Sequence, residues 1–150
     1  MSMVSLTLVA CQHNQESRQD EVADRGASVM PFDLERTTHI FEKLDTGGLQ
    51  QVLSDDLDAE QIGLIQSHLS EEALLFSQGD FHDPEVIHGH AMPGLHDLMM
   101  GYEKIDIEYA ALENGGQITY VTQDEAMIDA IHKWFDAQLS DHGDHAQGHH

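Results

Sequence analysis

Apolar residues recur at intervals of three and four through Ile62, Ile65, Leu69, Ala73 and Phe76, and again through Ile128, Ile131, Phe135 and Leu139. That spacing lays each set along one face of an α-helix. Asp58 and Gln61 stand in capping-box spacing before the first stripe, and Thr122 and Glu125 before the second. Gly79 and Gly143 are the expected stops. Ahead of each stripe the period shortens. Residues 38–43 and 49–53 flank the turn signal LDTGGL; Ile105, Ile107 and Tyr109 alternate before ENGGQ, and residues 117–121 form a return strand. The pairs Gly47-Gly48 and Gly115-Gly116 supply positive φ for two hairpin turns. Aligning the two Gly-Gly turns superposes Ile62 on Ile128 and Ile65 on Ile131 with a two-residue gap. The expected fold is α+β: two hairpin–helix (ββα) repeats forming one antiparallel sheet, with both helices on one face.

Between the repeats lies an insert that contains VIHGHAMPGLHDLMMGY, residues 86–102. Met92 precedes a proline and is expected in extended backbone, and Pro93 suits the first turn of a helix running to about Gly101. On that helix Leu95, Leu98, Met99 and Tyr102 share a core face, whereas His96 and Met100 share another. Met99 is therefore read as packing. His88, His90 and Met92 remain as three donors on a short loop, and with His96 they form the favoured ligand set.

The balance of 28 acids against 6 bases gives a net charge of −22 over 150 residues. Such a chain has no basic face to neutralise phosphates, which excludes nucleic acid and an anionic membrane surface as partners. The length suits one domain with a core. A single cysteine excludes an intrachain disulfide and a CxxC motif. Cys11 ends the run Leu8-Val9-Ala10-Cys11, which looks like a bacterial lipobox, so residues 1–11 are read as a lipoprotein signal segment with Cys11 the lipidation site. The remaining divisions are a polar tether at 12–30, the domain at 31–142 and a His-rich tail at 143–150. The protein is then periplasmic or on the cell surface, bound to the membrane through its lipid alone.

Twelve histidines are several times ordinary usage. His142 and His145 open the tail, which can bind Zn²⁺, Ni²⁺ or Cu²⁺ through neutral imidazoles. His68 has Glu72 one helical turn on, and His132 has Asp136; a carboxylate at that spacing can orient an imidazole at a metal site or serve as a surface pair. His39 alternates in phase with Phe41 and is expected to point inward. Histidine together with methionine in an exported domain favours copper ahead of zinc, since the thioether suits Cu(I). The metal set is thus His88, His90, Met92, His96, His132, His142 and His145, in a storage or chaperone role. Two other classes stay open: a small hydrolase or transferase with His132 or His88 as general base, and a structural lipoprotein that binds a periplasmic partner protein. With no G-x-S-x-G elbow, HExxH or P-loop in the chain, binding is favoured over catalysis.

The segments MPFDLERTTHIFEK (30–43), GDFHDPEVIHG (79–89), MPGL (92–95) and WFDAQLSDHGDHA (134–146) resemble a small family of uncharacterised bacterial proteins over most of residues 20–146. Such sequences often carry the label aspartate carbamoyltransferase. The label is not supported by the residues: the Ser-Thr-Arg-Thr stretch that binds carbamoyl phosphate is absent, and Arg36 is the one arginine of the domain.

Overall fold

A computed structural model describes residues 5–149, with side chains from residue 12 to residue 148. Met3 and Val4 of the apolar run, the Cys11 side chain and the side chains of His149 and His150 lie outside this description. The elements in chain order are α1 (Ser5–Val29), β1 (Thr37–Leu44), β2 (Gly47–Ser54), α2 (Ala59–Ser77), α3 (His82–His88), α4 (Leu95–Gly101), β3 (Asp106–Leu112), β4 (Gly115–Val121), α5 (Glu125–His142) and β5 (Ala146–His149). The fold is α+β, with one five-stranded mixed sheet in the order β3-β4-β2-β1-β5. Four strands pair antiparallel, and β5 runs parallel to β1.

Strand register explains which side chains meet the helices. Opposed residues in a ladder share a face. His39 faces Val52, which faces Gly116; Phe41 faces Gln50, which faces Ile118. That face carries the core, where Ile65 and Leu69 of α2 join Ile131, Trp134 and Phe135 of α5 in one buried cluster. His39 is thus buried beside Phe41, as its phase implied.

The glycine pairs do something other than turn the chain. The two-residue turns are Asp45-Thr46 and Glu113-Asn114, and each glycine pair opens the return strand. Gly47 has φ +142°, and a Cβ there would run into the Tyr120 carbonyl. A Cβ on Gly48 would strike the Phe135 ring, and one on Gly115 the Val52 carbonyl. The glycines let β2 and β4 approach each other and let α5 sit down on β2.

Helix starts follow their caps. Asp58 accepts from Gln61 N at 3.0 Å, but the Gln61 side chain turns away to accept from Asp33 N, so only half of the capping box forms. At α5 the cap is Asp124 rather than Thr122: Asp124 accepts from Ala126 N and Met127 N, while Thr122 donates to the Lys104 carbonyl. Gly79 and Gly143 follow the ends of α2 and α5 with φ of +83° and +58°.

Two segments differ from expectation. Residues 12–29 are helical, not a tether. Arg18 grips Asp141 of α5 through two bonds of 2.7 Å, Gln15 donates to Ser140, and Val22 is buried. Polar anchors hold α1, so the helix has no sustained apolar stripe to show in sequence. Residues 143–149 of the tail also join the body, with Ala146 to His149 pairing along β1. No described helix is long and apolar enough to cross a membrane.

Candidate metal centre in a buried polar cavity

α2 ends beside a short connection in which Phe81 stacks on Phe76, ring centroids 4.6 Å apart and planes nearly parallel. Pro84 and Ile87 are buried on the same side as Phe81. The Phe76–Phe81 stack holds the start of α3 beside α2, while the rest of α3 packs against α1. The placement brings Asp83, in the first turn of α3, to His68 and Glu72, one turn apart on α2. One ligand atom from each of His68, Glu72 and Asp83 lies within 4.8 Å of the others. Among the described residues this is the group of three histidine, cysteine or acidic side chains close enough to share an ion.

The three groups open on an internal cavity of about 40 Å³. Its walls come from α2 and α3, from His39, Gln50 and Val52 of the sheet, and from Trp134, Gln138 and His142 of α5. The lining is mostly apolar, so the polar groups buried within it need partners. Some exist. The Tyr120 hydroxyl donates to Gln50 Oε1 at 2.7 Å, and His142 Nε2 donates to Gln138 Oε1 at 3.1 Å. Two buried atoms have none among the described residues: Nε2 of His39 and Nε1 of Trp134.

Burial sets the protonation states here. Glu72 is pushed up to about 9, first by burial and then by its hydrogen bond with Asp83. Without a cation its carboxyl is neutral at pH 7. Burial lowers His68, against the pull of Asp83 and Glu71. Burial brings His39 down to about 4, helped by neighbouring imidazoles, and holds His142 well below its ordinary value. Neutral imidazoles are the form that binds metal.

The histidines named from sequence do not gather into one group. His88 is buried, and its Nδ1 donates to Asp141 Oδ2 at 2.8 Å; it belongs to α3 and not to a flexible loop. Burial raises the Asp141 carboxyl, but hydrogen bonds from His88 and Arg18 outweigh it and hold the group below its usual value. His90 points to solvent and donates to Glu85 at 3.0 Å. Met92 is 4% exposed in the apolar core, and His96 is exposed with Met100, as the helix phase implied. His132 shares its Nε2 proton between the Leu44 and Gly47 carbonyls, at 2.8 and 2.9 Å. Its expected partner Asp136 is taken by Lys43. That ties His132 to the β1–β2 turn through its Nε2 proton. His142 stacks on His39 and meets His88 edge-on, each with centroids 5.1 Å apart. His145 reaches Glu35 at 3.4 Å, across an outer cleft of about 180 Å³ that His39 and His142 also line.

The i,i+4 pair His68–Glu72 was visible in sequence; Asp83 was not, because nothing in the spacing fixes how α3 lies on α2. No family model, curated protein or solved structure matches the chain.

Proposed function

We propose that the protein is a lipid-anchored, extracytoplasmic domain that holds one divalent transition-metal ion, zinc ahead of copper, between α2 and α3. The observation that carries this reading is the convergence of His68, Glu72 and Asp83 within 4.8 Å at the wall of a mostly apolar cavity. One imidazole nitrogen and two carboxyl oxygens suit Zn²⁺. The case for copper rested on the Met92 thioether, and Met92 packs in the core; the donor set therefore reverses the order of preference. The insert still contributes to the ion, through Asp83 rather than through its histidines.

The anchor reading is supported by the run Leu8-Val9-Ala10-Cys11, and the contacts of Gln15, Arg18 and Val22 to the body all lie beyond residues 1–10. The ββα repeat is supported by reciprocal register, with Gly48 opposite Tyr120 on one arm and Gly116 opposite Val52 on the other.

Zinc titration of the full chain, purified without metal-affinity resin, tests the centre. His149 and His150 are replaced by Ala in every sample to silence the chain end. His68→Ala and Asp83→Asn should each abolish the tightest site, while His90→Ala and His96→Ala leave it. Retention of that site in both His68→Ala and Asp83→Asn overturns the assignment. Cys11→Ser should release the protein from the membrane fraction; a wild-type chain found in the cytosol with its N-terminal Met overturns the anchor.

A further inference from the structure

Three protein donors do not complete a zinc ion, which takes at least four ligands. The cavity supplies the second half of the observation. His39 Nε2 and Trp134 Nε1 are buried without partners, and both side chains line the space that His68, Glu72 and Asp83 share. An indole N–H can only donate, and a neutral imidazole protonated at Nδ1 accepts at Nε2. The indole donor and the open imidazole nitrogen, which donates or accepts according to its tautomer, border a cavity of about 40 Å³, and a space of that size admits about three waters.

The geometry points to an exchangeable ligand position on the ion, facing the cavity, filled by water or a small linear anion that accepts a hydrogen bond from Trp134 Nε1. When water occupies it, the water also hydrogen-bonds with His39 Nε2. The inference rests on the metal reading and adds the identity of the ion's non-protein ligand. It also accounts for why two polar groups stand unpaired in an otherwise well-packed core, since the leftover groups of a preformed site are satisfied only by its ligand.

Trp134 is the single tryptophan of the chain, so one indole N–H resonance reports the site without ambiguity. The experiment uses the full ¹⁵N-labelled chain with azide as probe. Zn²⁺ should shift the indole cross-peak, and azide should shift it again in the zinc-loaded protein but not in the metal-free one. In the Co²⁺-loaded protein azide should change the visible spectrum, and Trp134→Phe should weaken azide roughly three- to tenfold, the range of one hydrogen bond, with Co²⁺ affinity unchanged. A cobalt spectrum indifferent to azide overturns the exchangeable position. An azide-sensitive spectrum with an unmoved indole resonance overturns the role of Trp134; this comparison holds even if Trp134→Phe does not fold. Loss of His68-dependent Zn²⁺ and Co²⁺ binding altogether overturns the metal reading itself, and this inference with it.

Discussion

Replacing Glu72 with Gln should make the metal-free protein more stable while destroying its metal site. The folded protein binds a proton at Glu72 up to about pH 9, whereas the ordinary value is 4.5. A carboxyl whose folded value is raised stabilises fully below its unfolded value, and that contribution is lost as pH climbs toward the folded one. The window runs from 4.5 to about 9. At pH 7 folding must hold a proton 2.5 units above where the unfolded chain releases it, a cost of about 3 kcal/mol at 1.36 kcal/mol per unit. Glutamine is neutral at every pH, nearly the same shape, and keeps an N–H to donate to Asp83. It removes the cost and retains the contact.

Chemical denaturation in a chelating buffer at pH 5, 7 and 9 reads the effect. The variant should exceed wild type by well under ~1 kcal/mol at pH 5, by about 3 kcal/mol at pH 7, and by more at pH 9. Adding Zn²⁺ should reverse the ranking. Bound ion stabilises the wild type by mass action, and the variant has lost one of three donors. If Glu72→Gln is less stable than wild type at pH 7, or differs by an amount independent of pH, then Glu72 is not held neutral and the account of the cavity is wrong.

Two further outcomes follow from neighbouring groups. In the Glu72→Gln background, acidification from pH 7 to 4 should cost about 3 kcal/mol at His39, because the unfolded ring takes up a proton near 6.5 and the folded ring only near 4; His39→Gln should remove that share of the fall in urea titrations, and an unchanged slope refutes it. Arg18→Ala strips two bonds of 2.7 Å from the buried Asp141 carboxylate and should cost about 2 kcal/mol with faster amide exchange in α1; a loss below roughly 0.5 kcal/mol would show that α1 is held by something else.

The parts of the fold legible in sequence are those written in apolar periodicity. The stripes of α2 and α5, the two hairpins and the buried phase of His39 all follow from which positions repel water. Where pairing or polar contacts do the holding, the pattern is silent. α1 shows no stripe because Arg18, Gln15 and Gln19 fasten it to α5 through hydrogen bonds, with Val22 the one buried apolar side chain among its described residues. β5 joins the sheet through its backbone, and any polar sequence can offer that. The glycine pairs were recognised as special but assigned the wrong reason. A turn and a close approach both demand glycine, and only the neighbouring carbonyls and the Phe135 ring distinguish them.

The site illustrates the same division at the level of single side chains. His88 and His90 are two residues apart and look like one chelating unit, yet the last turn of α3 buries the first, and Gly89, with φ +86°, turns the second to solvent. Proximity in sequence is weak where a helix ends, because the backbone direction changes between neighbours. His68 and Glu72 are four apart within α2, where the helical repeat fixes their shared face regardless of context. Asp83 reaches them by a tertiary route: Gly79 ends α2, Phe81 stacks on Phe76, and the first turn of α3 is held beside α2. The element that completes the cluster is therefore set by an aromatic contact, not by any spacing of donors. A substitution at Phe81 would disturb the candidate metal centre without touching a ligand.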